Sequence, residues 1–208
     1  MNTRNSILMK QARESLSGKW GLAIGTMFVY ALITMAVQSI PKAGGLLGIL
    51  ITGPLNLGLI IFSLSISRNQ NPRFEQIFEG FRRYGTALAT QVLIMVFTIL
   101  WMLLLIIPGI IAGLSYSMAF YILADNTSVG AREAIKMSKK MMMGYKWKLF
   151  RLTLRFLGWG ILCIFTLGIG LLWLIPYIQV STAKFYEDIK NPVASPTEPS
   201  PTPVAPTA

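Results

Sequence analysis

The sequence predicts an all-α membrane protein: a polytopic bundle of six transmembrane helices forming three hairpins, each preceded by a cytoplasmic amphipathic helix. Three observations predict it. Apolar runs occupy 20–40, 46–66, 86–107, 110–124, 149–167 and 171–185, and a helix needs roughly 20 such residues to cross a bilayer. Charged residues make up only 13% of the chain, about half the share in a typical soluble domain. One order of parts (surface helix, aromatic residue, apolar run, tight turn, apolar run) also occurs three times.

Composition narrows the function classes. Mean hydropathy is +0.57 and net charge is +11. Such a basic balance can serve nucleic acid or an anionic membrane. Here Lys and Arg flank the apolar runs instead of forming a soluble basic face, so anionic lipid is the expected partner and nucleic acid is not. The chain has no histidine, which removes the commonest general base near neutral pH and the commonest metal ligand. Cys163 is the sole cysteine; no intrachain disulfide or thiolate cluster can form, and inside an apolar run it reads as a small hydrophobe. No metal and no cofactor are expected.

In chain order, residues 2–19 place Leu8, Ala12, Ser15 and Leu16 on one helical face and Lys10, Arg13, Glu14 and Ser17 on the other. This is an amphipathic helix entering the membrane. The run at 20–40 is too long for the roughly 7–15-residue apolar core of a signal peptide, and no small-residue cleavage site follows it. The turn at 41–45 leads to the second run, which holds Gly53-Pro54 and Gly58. Asn71-Pro72 starts a second amphipathic helix, with Phe74, Ile77, Phe78 and Phe81 on one face. The central pair of runs breaks at Pro108-Gly109, read as a hairpin turn at the membrane surface. The third amphipathic helix follows, with Ala131, Ala134, Ile135 and Ser138 on one side and Arg132, Lys136, Lys139 and Lys140 on the other. Arg151 and Arg155 stand one turn apart at the start of the fifth run, where long side chains reach the head groups. Gly168-Ile169-Gly170 is a turn, and the sixth run is interrupted at Pro176.

The spacing predicts a repeat. Trp20, Tyr84 and Trp147 are 64 and 63 positions apart; the turn residues Gly44, Pro108 and Gly170 are 64 and 62 apart. Residues 1–190 are therefore one six-helix domain with parallel units at about 5–67, 71–125 and 128–188. Residues 191–208, rich in Pro and Thr, form a disordered tail that cannot bury a core. Eighteen of the 19 basic residues lie on one predicted side, with Lys42 alone opposite. The positive-inside rule then places both termini in the cytoplasm.

Chemistry-bearing patterns are sparse. The segment from Gly80 to Thr86 resembles a phosphate loop but lacks the lysine before the Thr. The acceptor pattern Asn126-Thr127-Ser128 lies on the predicted cytoplasmic side. The acidic residues all fall in polar segments or at span ends, so no proton relay is marked, and the chain is not expected to be an enzyme. A pocket, if the spans form one, is expected at Asn56, Ser115, Tyr116, Tyr177 and Gln179. These lie beside the candidate hinges Gly53, Pro54, Pro108, Gly109 and Pro176. The bland reading of those polar residues is glue between helices. Arg132, Lys136, Lys139, Lys140, Arg151 and Arg155 are the expected lipid head-group contacts.

Several motifs together resemble a known family. They are Phe74-Glu75-x-x-Phe78-x-Gly80-Phe81, Ile106-Ile107-Pro108-Gly109-Ile110-Ile111, Leu114-Ser115-Tyr116-Ser117-Met118-Ala119 with Ile122-Leu123-Ala124-Asp125-Asn126, and Glu133-Ala134-Ile135-x-x-Ser138-Lys139-x-x-Met142-x-Gly144-x-Lys146. Gly158-Trp159, Thr166-x-Gly168-Ile169-Gly170 and Pro176-Tyr177 with Phe185-Tyr186 continue the pattern. The chain resembles, over residues 1 to about 190, the bacterial integral membrane family called domain of unknown function 975. The resemblance implies a bacterial cell membrane and no established activity. A more distant similarity to the membrane domain of some glycerophosphodiester phosphodiesterases implies a lipid-facing role, without their catalytic half.

Two readings of function follow. One is a scaffold or accessory subunit that meets membrane lipids and a cytoplasmic or membrane protein partner. The other is a small-molecule or lipid transporter, or a lipid-handling protein, with a pocket among the hairpins. They differ in whether the mid-span polar residues converge on one cavity.

Overall fold

The computed structural model describes residues 4–41, 44–165 and 168–190; the expected tail, and Lys42 on the opposite side, lie outside them. The described residues are mostly helical, joined by turns and short irregular connections, and include no strand. The helices are α1 (Asn5–Leu16), α2 (Trp20–Gln38), α3 (Gly44–Ser67), α4 (Gln76–Glu79), α5 (Tyr84–Leu104), α6 (Ile106–Tyr116), α7 (Ala119–Asp125), α8 (Ala131–Met141), α9 (Lys146–Phe165) and α10 (Leu171–Lys190). A short 3-10 turn, Gly80–Arg83, joins α4 to α5.

Among the described residues, four stretches are long and apolar enough to cross a membrane: Trp20–Gln38, Leu47–Ser67, Gln76–Leu104 and Ile106–Asp125. α9 and α10 are as long, but each carries four charged residues: Lys146, Lys148, Arg151 and Arg155 in one, Lys184, Glu187, Asp188 and Lys190 in the other. The expectation of six spans is met by length and composition for four.

The apolar helices divide into inner and outer. In the best membrane-spanning window, 61% of Leu47–Ser67 and 56% of Ile106–Asp125 is buried, against 17% of Trp20–Gln38 and 11% of Gln76–Leu104. A helix apolar all round but buried on one side only needs an apolar surrounding on the other. The packing follows one cyclic rule. α2 packs on α3 and on α10; α5 packs on α6 and on α3; α9 packs on α10 and on α6. The core is a large cluster around Tyr121, Leu123, Phe185 and Tyr186. A smaller cluster of Ala12, Leu16, Ala23, Phe62, Ile66 and Val180 ties α1 and α2 to α3 and α10.

The structure revises three expectations. The hairpin bend of the central pair falls at Leu105, in extended backbone (φ −164°, ψ 142°), and not at Pro108-Gly109. Pro108 stands in the first turn of α6, where the amides have no intrahelical partner and a proline costs no hydrogen bond. The second arm therefore starts at Ile106 and reaches 20 residues. Second, the expected amphipathic helix after Pro72 is only α4 and the 3-10 turn. Ile77 is fully buried, whereas Phe78 and Phe81 are exposed. Third, the apolar faces of α1 and α8 are not left for lipid. Leu8, Ala12, Ser15 and Leu16 are buried, as are Ala134, Ile135 and Ser138, because α1 docks on α10 and α8 docks on α5, α6 and α7.

Gly18 (φ 75°) and Gly144 (φ 80°) end the turns from α1 into α2 and from α8 into α9. Both use the left-handed conformation that costs glycine no steric clash.

Candidate functional site

Several mid-bundle polar residues form hydrogen bonds from one helix to another. The Tyr30 hydroxyl donates to Asn56 Oδ1 at 2.9 Å, and Asn56 Nδ2 donates to Gln91 Oε1 at 3.3 Å. One relay thus joins α2, α3 and α5. The Tyr177 hydroxyl donates to the Met9 carbonyl at 3.1 Å, tying α10 to α1, and its ring packs edge-on to Phe156 of α9. Ser115 Oγ donates within its own helix to the Ile111 carbonyl. Tyr116 lies beside Phe97, ring centroids 6.1 Å apart. Gln179 is half-buried in α10. Asn56, Ser115 and Tyr177 thus have separate hydrogen-bond partners. Three cavities among the described residues are lined by other side chains.

The breaks are packed as well. A Cβ built on Gly58 would lie 1.8 Å from the Ile77 carbonyl oxygen, and one on Gly80 would lie 1.9 Å from the Pro54 carbonyl oxygen. Backbone therefore meets backbone where the chain of α4 and the 3-10 turn crosses α3. Gly53 sits the same way against α5, with Ala87 O at 3.0 Å from its would-be Cβ. Gly109 faces Met102 across the central bend, with Met102 Cα at 2.9 Å. Pro176 is buried inside α10.

The gap between α6 and α7 is closed from outside. Buried Ser138 of α8 donates Oγ–H to the Ser115 carbonyl at 2.8 Å and accepts the Met118 amide at 3.2 Å. It supplies a donor and an acceptor that the broken helix lacks. Ser138→Ala is expected to lower stability by about 1–3 kcal/mol, the cost of unsatisfied buried backbone groups. Unfolding of the purified protein in detergent, followed by circular dichroism, measures this. Thr34→Ala, which removes a half-buried hydroxyl bonded to its own helix, is expected to change stability by no more than about 0.5 kcal/mol.

Arg83 caps α7 from below. Its guanidinium donates to the carbonyls of Leu123 (2.7 Å), Asn126 (3.0 Å) and Val129 (2.8 Å). Such capping satisfies carbonyls that end a helix without partners.

The C-terminal ends of α3, α7 and α10 meet in a charged cluster. Arg68 donates to Asp125 Oδ1 at 2.6 Å and to Glu187 Oε1 at 2.7 Å. Asp125 Oδ2 accepts from Lys190 at 2.5 Å and from the Tyr186 hydroxyl at 2.9 Å. The Asp125 side chain is only 5% exposed. Burial opposes the charge on Arg68, but Asp125 and Glu187 outweigh it and hold the guanidinium above its ordinary value. Burial, and then the Asp125 carboxylate, push the Tyr186 phenol upward. Lys148 and Asp188 form a second, nearly buried pair at 2.6 Å, joining α9 to α10. These contacts gather the polar connections at one end of the bundle. Neither pairing is a motif: the partners stand far apart in sequence, and their only signal is that Arg68, Asp125 and Glu187 each close the second helix of a pair.

Arg132, Lys136, Lys139, Lys140, Arg151 and Arg155 are exposed. None of the six pairs with an acidic side chain among the described residues.

No curated protein and no solved structure matches the chain, and kinship with glycerophosphodiester phosphodiesterases is not shown. The family described as "Protein of unknown function (DUF975)" matches residues 1–108 and 97–192, and the chain belongs to that family.

Proposed function

We propose that this chain is a multi-pass protein of the bacterial cell membrane with both termini in the cytoplasm. In this reading three parallel units close into a ring, and the ring serves as a scaffold or accessory subunit for a membrane or cytoplasmic partner. The cyclic packing of α2, α5 and α9 supports the three-unit reading. The charged residues of α9 and α10 cluster toward the polar end, which leaves 156–165 and 171–183 free of charge to enter lipid. Lys and Arg that flank such stretches belong on the cytoplasmic side.

The observation that carries the scaffold reading is the use of the polar side chains. Tyr30, Asn56, Gln91, Tyr177 and Ser138 tie helix to helix. Pro54 and Gly58 of α3 meet the backbone of Gly80 and Ile77, and Gly109 of α6 packs on Met102 of α5. A transporter instead leaves broken helices open to a substrate site between its repeats. Native mass spectrometry of the gently extracted full chain tests this. A second protein at fixed ratio is the expected result. A small molecule held one-to-one and lost on Asn56→Ala or Tyr177→Phe would support the transporter, and so would overturn the scaffold.

A further inference from the structure

The first turn of α1 lies beside the first two turns of α9. Asn5 Nδ2 donates to the Lys148 carbonyl at 3.0 Å and fixes this contact. Between the two helices is a groove of about 810 Å³, with Arg4, Ser6, Trp147, Arg151, Leu154 and Arg155 on its walls and no acidic residue among its lining. Arg4, Arg151 and Arg155 are exposed and pair with no carboxylate among the described residues. Lys148 cannot move in to share their role, because it is committed to Asp188. The amides of Asn5 and Ser6, at the start of α1, have no carbonyl to bond within the helix. Three guanidinium groups around one concavity repel each other until an anion separates them.

The face of α9 continues past the groove. Trp147, Arg151, Arg155, Gly158, Leu162 and Phe165 follow one another at helical spacing on one side. An added Cβ on Gly158 would meet nothing within 4 Å. Leu162 and Phe165 are widely exposed, Phe165 at 83%. So the same stripe reads aromatic, cationic, then apolar with a notch at the glycine. Tryptophan belongs at the membrane interface, and the planar fork of arginine matches phosphate oxygens.

We infer that this groove binds one anionic phospholipid, its phosphate between Arg4, Arg151 and Arg155 and an acyl chain along Gly158, Leu162 and Phe165. The inference rests on the reading of α9 as a membrane span. It differs from diffuse attraction by the whole basic face, because it assigns one lipid to one place.

The test uses the full chain in detergent, with native mass spectrometry of bound phosphatidylglycerol and phosphatidylcholine. One phosphatidylglycerol per chain is expected, and R151Q with R155Q is expected to weaken its retention roughly tenfold or more. R73Q with R82Q, at two exposed positions before α5, removes the same charge and is expected to leave retention unchanged. Arg4→Glu reaches the groove from the other helix, so its loss of binding does not depend on how α9 variants fold. Equal retention of the two lipids, or equal losses from the R151Q/R155Q and R73Q/R82Q chains, would overturn the site. Displacement of the lipid by millimolar inorganic phosphate would overturn it in favour of a soluble phosphate. Placement of the span is read separately, by labelling Ile169→Cys in a Cys163→Ser chain with an impermeant maleimide from outside the cell. Labelling with no lipid selectivity sinks the site alone; absence of labelling sinks the span reading.

Discussion

A single methyl group on Gly58 will cost this protein about 3 kcal/mol, as will one on Gly80. The new Cβ would stand 1.8 Å from Ile77 O in the first case and 1.9 Å from Pro54 O in the second. The obstacle in each case is a backbone carbonyl, which cannot rotate away as a side chain would. Relief requires α3 and the segment from Gln76 to Arg83 to move apart. Overpacking of a dense contact typically costs about 1–3 kcal/mol and occasionally more, and a backbone obstacle puts these two at the upper end. Gly25→Ala supplies the contrast. Gly25 lies in α2 with nothing within 4 Å of its would-be Cβ, so alanine there is expected to be neutral or to stabilise by about 0.5–1 kcal/mol. Unfolding of the purified variants in mixed micelles, with denaturing detergent as titrant, measures all three. Equal stability of Gly58→Ala and Gly25→Ala would refute the close contact.

The second large effect lies at Asp125, for which alanine is expected to cost about 3 kcal/mol. The carboxylate is nearly buried and receives Arg68, Lys190 and Tyr186 at once. Its removal leaves two cations side by side, and a buried pair broken from one side costs about 3–5 kcal/mol. The cations here are roughly a third exposed, so water recovers part of that. Exposed pairs behave otherwise. Lys10 and Glu14 are 3.9 Å apart and open to solvent, and Glu14→Ala is expected to stay within about 0.5 kcal/mol. If both substitutions cost the same, the cluster does not hold the three helix ends together.

The positions of the helices were legible in the sequence, because runs of apolar residues and the glycines and prolines between them are local signals. The face of α1 was legible for the same reason: Leu8, Ala12, Ser15 and Leu16 stand at helical spacing among polar residues. The inner and outer helices were not. Residues such as Leu59, buried in α3, and Leu103, 84% exposed in α5, have the same hydropathy, since lipid and protein interior attract the same side chains. The bend at Leu105 was also hidden. Pro108 punctuates the sequence, but a proline suits a helix start as well as a turn, and only the fold decides which. Of the candidate pocket residues, Asn56 and Tyr177 stand in hydrogen bonds between helices. That their partners are Tyr30, Gln91 and Met9 depends on which helices adjoin, which no local pattern states.

The contact of α1 and α2 with α10 bears on the order in which the protein can be made. Met9 is held by Tyr177, 168 positions later, and α1 and α2 both rest on α10. The chain leaves the ribosome from its N-terminal side, so the earliest helices emerge with their closing neighbour still untranslated. Until α10 arrives, the apolar face of α1 and the inward side of α2 have only α3 to rest on. This contact is therefore completed only once α10 has been made, and the part-built bundle is the stage at which a chaperone or insertase has exposed surface to hold.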